Sequence, residues 1–495
     1  MSAPTTRLPA RLVWVTVLLS LLIGAGAGFL VGPEHQQLGT VSSGDRELAE
    51  RARSAIGTGD GLRSVVVAEV TRDSIRWAGL GNAGPGRTPG VAPTEATNYE
   101  LGSITKTFTG ALFADAIERR EVKADDTLSA HLPELRGTPA GAVTLGSLAQ
   151  HRSGLPRMGA SADAGLVQLV LNDNPYGAMT VERLIADAAA APVNPEQPPT
   201  YSNLGVALLG TALVRATDAP DYRSLLAQRI TGPLGMAGTT LADTDAEVPP
   251  TPAPGHAANG LPAARWTGAG YLPAGSSTFT TVTDLARWAQ AQLTGRTPGV
   301  RALEPTADLG GGARIGWAWI TVAPAGGPAT TFHNGGTAGF RTMLALDREA
   351  GRAVVMMGNT ATDLDAFALA LLRGAPAQVP APTADIIAWS VAPVALALLL
   401  GLAALRRAVR TPSLLPGIND LLASAFGLLL AWAWGPWTMV GGWLWGLALG
   451  PALAAVVLLS LRARRLSWLP ERRAWLAWLG LVVALALVAL GIAVL

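Results

Sequence analysis

Four long apolar runs close this chain, and they limit its possible folds more than any other feature. They cover about residues 386–405, 421–434, 440–461 and 474–495. A fifth stretch, "RLVWVTVLLSLLIGAGAGFLVG", is uncharged from Leu12 to Val31. About 20 apolar residues in a helix span a bilayer, so these runs read as membrane helices. The second is short and reads better from near Leu415. A hydrophobic content of 49% and a mean hydropathy of +0.32 agree with this reading.

The arginines set the orientation. Arg406, Arg407 and Arg410 follow the first closing run, and Arg462, Arg464, Arg465, Arg472 and Arg473 separate the third from the fourth. The turn "GPWT" between the second and third carries no charge. Loops rich in arginine stay in the cytoplasm, which puts residues 33–384 outside, loops 406–414 and 462–473 inside, and the C-terminus outside. Arg7 and Arg11, ahead of the N-terminal run, give the same answer. That run is either a retained anchor or a cleaved signal peptide; its length favours the anchor. Nine of the fifteen tryptophans lie in 386–495, where amphipathic rings mark membrane interfaces. No charge falls deep inside the runs as drawn, which argues against a transport pathway and for an anchor or docking bundle.

A pI of about 9.2 suggests nucleic acid until the charges are mapped. Residues 33–384 hold 27 of the 37 basic and 32 of the 35 acidic residues, so the basic excess sits beside apolar runs. That is a topology signal, not a phosphate-binding surface. There are no cysteines, which excludes disulfides, thiolate metal sites, a cysteine nucleophile and a lipid-modified N-terminal cysteine. The division expected is an N-terminal segment 1–32, a globular domain 33–373, a Pro-rich linker 374–384 and a four-helix membrane region 385–495.

Within the globular part, "SVVVAEV" and "SIRWAGLG" read as strands around the turn "TRD". "RIGWAWITV", "ATTFHNG", "FRTMLALD" and "RAVVMMGN" read as strands near the far end, with "REAG" as a hairpin turn. Helical periodicity marks the middle, as in "LGVALLGTALVRA" and "VTDLARWAQAQL". One mostly antiparallel sheet built from distant segments, flanked by helices and joined to a helical lobe, is the α+β architecture expected. "GTGDG" and "LGGGAR" lack the Lys-Ser/Thr ending of a phosphate loop and read as loops.

Only two of the 37 basic residues are lysines, and one, Lys106, stands three residues after Ser103 in "YELGSITKTFTGALFADAIERR". A helix starting near Ser103 puts both on one face. A serine at a helix N-terminus presents an unpaired backbone N–H to a developing oxyanion. A desolvated lysine one turn away can take the hydroxyl proton, which a guanidinium never can. A second stretch, "PTYSNLGVALLG", sets Tyr201, Ser202 and Asn203 before an apolar helix. A third, "TFHNGGTAGFRTMLAL", sets His333, Asn334, Gly335 and Gly336 in a strand, where glycine permits close backbone approach. Each alone also reads as ordinary structure: a cap with a solvated lysine, a turn, a buried histidine. None of the five histidines stands at metal-ligand spacing, so no metal or cofactor is implied.

In this order, S-x-x-K, Y-S-N and H-x-G resemble the motif set of the serine β-lactamase and penicillin-binding protein superfamily. "VTLGSLAQHRSGLP", "ITGPLGMAGTTL" and "STFTTVTDLARW" resemble its class C-like branch, and the likeness covers about residues 45–373. It implies a β-lactamase/DD-peptidase-like fold with Ser103 as acylated nucleophile and Lys106 as its activator. Tyr201 would act as phenolate base or proton relay. Asn203 would orient Lys106 and substrate, and His333 would stand where many members have lysine. The oxyanion would sit between the N–H groups of Ser103 and Gly336, beside Gly335. Asn334 and Gly336 lack the hydroxyls that hold a substrate carboxylate in such proteins, leaving Arg341 as a possible substitute. The function expected is a membrane-tethered extracytoplasmic serine hydrolase of the DD-peptidase or esterase kind. It would act on peptidoglycan-type peptides, esters or amides, with weak or no β-lactamase activity. The alternative is a silent, β-lactam-sensing or scaffolding domain that signals through its helices. The partners expected are a peptide or small-molecule substrate and the lipid bilayer, not nucleic acid.

Overall fold

The structure is a computed structural model that describes residues 8–34, 36–84, 90–164, 174–250, 253–257, 260–323, 327–360, 362–379, 383–437 and 440–493. Arg7 and residues 380–382 of the linker lie outside the described residues. The chain forms two compact units. One holds residues 37–257 and 262–379; the other holds 1–36, 258–261 and 380–495.

The first unit is built on nine antiparallel strands. In chain order these are β1 (Ser42–Gly44), β2 (Ser64–Thr71), β3 (Ile75–Gly81), β7 (Ala307–Gly310), β8 (Ala313–Ile315), β9 (Ile320–Val322), β10 (Thr330–Gly336), β11 (Arg341–Asp347) and β12 (Arg352–Gly358), arranged β1-β3-β2-β12-β11-β10-β9-β8-β7. The numbers between belong to a small sheet of β4 (Asn98–Glu100), β5 (Thr240–Leu241) and β6 (Thr278–Thr281), ordered β4-β6-β5. The two ends of the unit therefore meet at the centre of the large sheet, with Val65 opposite Gly358 and Thr71 opposite Arg352.

Alternation along β2 shows why that strand is apolar almost throughout. Val66, Ala68 and Val70 pack on one side with Phe108, Leu204 and Trp288, while Val65 and Val67 pack on the other with Leu48, Ala52 and Phe367. Helices cover both faces: 105–118 and 282–294 on the first, 46–56 and 365–373 on the second, while 203–216 packs on 105–118. A strand buried on both sides loses the polar half of its period. "RIGWAWITV" departs from the single strand expected. It breaks into β8 and β9 because Ala318 takes a left-handed conformation (φ 66°) and the turn closes through Gly316 N–H to Trp319 O. "LGGGAR" is likewise a tight β7–β8 hairpin around three positive-φ glycines, Gly310 to Gly312, rather than a free loop.

Among the described residues, the second unit has five helices long and apolar enough to cross a membrane: Ala10–Val31, Ala384–Arg410, Leu414–Trp434, Trp443–Arg462 and Ala474–Ala493. The third of these starts at Leu414, in line with the reading from near Leu415. Asp420 therefore lies inside it, contrary to the expectation that the spans carry no charge; its carboxylate is bound by Arg407. The first and fourth helices meet backbone to backbone. A Cβ on Gly24 would lie 2.4 Å from Gly446 O, and one on Gly28 would lie 2.5 Å from Gly442 O. Such contacts pack helices where no hydrophobic effect drives association. At the end of the fourth helix, Arg462 donates to the carbonyls of Ala408 and Thr411, tying it to the turn after the second helix.

Candidate active site

Ser103 sits in the middle of a 3-10 turn, Gly102–Ile104, that runs straight into the helix Thr105–Glu118. The turn requires glycine at 102: its φ is 59°, and a Cβ there would lie 2.8 Å from Gly336 N. The same contact brings the end of β10 against the nucleophile turn. Gly335 packs on Leu101 O, and Thr342 Oγ1 donates to that carbonyl at 2.8 Å.

Lys106 is 0% exposed. Its Nζ is hydrogen-bonded to Ser103 Oγ at 2.9 Å and donates to Ala274 O at 2.6 Å. Burial, helped by the nearby positive charge of Arg157, holds the amine well below its ordinary 10.5. A neutral amine in this position keeps one N–H for the carbonyl and turns its lone pair to the hydroxyl. Among the described residues no salt bridge neutralises Lys106, so losing the proton is the cheaper way to bury it.

Tyr201 covers this pair, with Lys106 Nζ 5.0 Å from its ring centroid. Burial pushes the phenol above its ordinary value, and the neighbouring Ser103 side chain offsets only part of that push. The resting phenol is protonated. Tyr201 is held by a segment from which sequence reasoning named no site residue. His151, with a positive φ of 55°, accepts from Ser202 N at Nδ1 (3.2 Å), and its carbonyl accepts from Thr200 N. Arg157 O accepts from Asn203 N at 2.9 Å, and Pro156 O accepts from Ser202 Oγ at 2.7 Å. The "HRSGLP" stretch thus clamps the Tyr-Ser-Asn turn by its backbone and one ring. The His151 ring lies 4.4 Å from the Tyr201 ring, centroid to centroid. Because its Nδ1 accepts, Nε2 carries the proton, and burial depresses its pKa far below the ordinary histidine value.

Two expected contacts differ. Asn203 Oδ1 is buried without a partner, so the expected hold of Asn203 on Lys106 is not made; Ala274 O takes that place. His333 stands behind the cavity rather than in its lining. It is 1% exposed, bonded through Nδ1 to Asn334 O at 2.6 Å and 6.4 Å from the Tyr201 ring. Burial and the Lys106 charge lower its pKa to about 3, so it is a neutral ring at physiological pH and no substitute for a cationic lysine.

A cavity of about 420 Å³ opens over Ser103, lined by Arg157, Tyr201, Asn334, Gly335, Gly336 and Thr337, with Arg341, Asp363 and Asp365. Asn334 Nδ2 donates to Asp365 Oδ2 at 2.6 Å. Arg341 is not available as a carboxylate receptor. Its Nε is on Asp363 Oδ1 at 3.2 Å, and one of its η nitrogens serves the carbonyls of Thr337 and Phe340. Arg157, Thr337, Asp363 and Asp365 were not foreseen; only the position of Arg157, one residue past "HRSGLP", hinted at it.

The Beta-lactamase family model matches residues 50–378, about two-thirds of the chain. The chain belongs to the beta-lactamase family. Beta-lactamase-like protein 2 of Dictyostelium discoideum is 30% identical over 188 residues (37% of this chain, 33% of that protein). A Beta-lactamase of Escherichia coli K12 is 29% identical over 206 residues (40% and 49%). The matched stretch thus spans half or less of these relatives. Among solved structures, D-alanine carboxypeptidase AmpC from Burkholderia cenocepacia superposes with a TM-score of 0.55 at 23% identity, covering 66% of this chain and 99% of that one. A class C beta-lactamase mutant gives 0.57 at 19%, covering 66% and 97%. These two establish the family's fold here: an antiparallel sheet with flanking helices, followed in this chain by the apolar C-terminal helices.

Proposed function

We propose that the chain is a membrane-tethered serine hydrolase whose catalytic unit works outside the cytoplasm through an acyl-serine intermediate. The observation that carries this reading is the 2.9 Å contact between Ser103 Oγ and a fully buried Lys106 with a depressed pKa. Neutral Lys106 takes the Ser103 proton as Oγ attacks a carbonyl carbon. The oxyanion is received by the N–H groups of Ser103 and Gly336. The intermediate collapses as its leaving group takes a proton, relayed by Tyr201 from Lys106, and water then cleaves the acyl-serine by the same route.

Substrates are esters, amides or peptidoglycan-type peptides. Simple esters are favoured over penicillins, because Asn334 is engaged by Asp365, Arg341 by Asp363, and Gly336 offers no hydroxyl. Two agreeing arginine patterns support the orientation. The glycine contacts between the first and fourth apolar helices support retention of the N-terminal segment, since cleavage would bare Gly442, Gly446 and Gly450.

The test is labelling of whole membranes with a fluorophosphonate and a fluorescent penicillin, with Ser103→Ala as the blank, alongside reporter fusions near residue 379. Fluorophosphonate labelling of the parent alone, with kcat/KM for 4-nitrophenyl esters above that for a penicillin, is expected. No labelling by either probe, or a fusion active in the cytoplasm, refutes the proposal.

A further inference from the structure

One cation in the cavity has no counter-charge. Arg157 is exposed, lines the space over Ser103, and stacks its guanidinium over the Tyr201 ring, 5.2 Å from the centroid. Among the described residues, no carboxylate pairs with it. The other positive groups nearby are spent: Arg341 on Asp363 and two carbonyls, Lys106 and His333 by burial in their neutral forms. Both carboxylates of the cavity belong to the residues just after β12, where one meets Arg341 and the other Asn334.

The contact holds the guanidinium over the ring and, among the described residues, leaves its N–H groups unengaged. A planar fork of donors held by an aromatic face is the arrangement that receives a carboxylate in two parallel bonds. Its ordering cost is already met by the ring.

We infer that Arg157 is a specificity residue that receives an anionic group, a carboxylate by preference, on the acyl donor. This rests on the serine-hydrolase reading above and adds the substrate class. The strand-side residues of the cavity do not take that role. The anion instead enters from the loop that clamps Tyr201.

The experiment compares 4-nitrophenyl hexanoate with the mono-4-nitrophenyl ester of adipic acid, which replaces the terminal methyl by a carboxylate. Rates are corrected with Ser103→Ala. The parent is expected to favour the adipate ester in kcat/KM. Arg157→Gln should lower the adipate-to-hexanoate ratio roughly tenfold, the worth of one charge-assisted contact, mainly through KM. Arg157→Lys should restore most of the ratio, and added salt should erode it in the parent. A parent ratio of one or less overturns the inference. So does an equal fall for both esters in Arg157→Gln, which would make Arg157 a positioning residue for Tyr201. If neither ester is cleaved and fluorophosphonate does not label Ser103, the hydrolase reading fails first and takes this one with it.

Discussion

Lys106 and Arg462 are both buried basic side chains, one in each unit, exposed by 0% and 3%. Each is held by backbone carbonyls: Lys106 by Ala274, Arg462 by Ala408 and Thr411. The difference is the hydroxyl. Lys106 also touches a hydroxyl, and an amine forced out of water can release its proton and accept the one that hydroxyl gives up. Arg462 lies on the carbonyls of Ala408 and Thr411, and a guanidinium keeps its charge anywhere in a protein. It stitches helix ends together. In a chain that uses arginine for nearly every cation, Lys106 is the lysine that stands beside a hydroxyl.

Exchanging the two residues separates these roles. Lys106→Arg should lower the rate of Ser103 acylation by at least the ~10²–10⁴-fold usual for general-base assistance, with Tyr201→Phe costing less. Stopped-flow ester acylation, on variants shown by melting curves to be folded, reads this. A near-parental rate would leave Lys106 with the same structural duty as Arg462.

The pH profile tests the same contrast with a smaller factor. The base works only when Lys106 is neutral, so kcat/KM should rise about tenfold per pH unit below its pKa and level off above it. Because burial lowers that pKa, the plateau should begin below the ordinary 10.5. His333, with a pKa of about 3, is neutral throughout that range and cannot cause the rise; the Tyr201 phenol, pushed upward, stays protonated through it. A limb centred at or above 10.5 breaks the comparison.

The reverse exchange should matter least. Arg462→Lys keeps a charge and at least one of the two carbonyl bonds, so the membrane unit should lose only about 1–2 kcal/mol. Tryptophan-monitored unfolding in detergent measures it. A collapse of that unit would mean that Arg462 does more than stitch.

Much of this architecture was legible because it rests on local pattern. The strands at both ends of the catalytic unit show as apolar β-branched runs. The Ser103–Lys106 spacing is one helical turn wherever it occurs. What sequence did not show is what the tertiary fold brings in by backbone. Ala274 contributes a carbonyl, and Arg157 contributes both a carbonyl and a side chain whose value depends on Tyr201 lying beneath it. No residue type advertises either. His151 was visible within a recognisable stretch, yet its task, accepting Ser202 N–H, exists only once the two segments meet. Asp363 and Asp365 lie just past β12 and reach the site only because that strand returns to the middle of the sheet. Asp420 was missed for the opposite reason: averaging over a hydropathy window hides a single carboxylate whose partner is on another helix.

The pairing of β2 with β12 also sets a clock. Val65 must wait for Gly358, roughly 290 residues later in the chain. At the usual ~5–20 residues per second of synthesis, that is roughly 15–60 s. For that interval β2 has no partner on one side, and for most of it the strand that braces the Ser103 turn has not been made. Ser103 leaves the ribosome early and gains the strand that braces its turn late. Anything that shields residues 64–71 during that interval therefore governs yield, and a chain cut short before Arg352 lacks β12, the partner of β2 in the middle of the sheet.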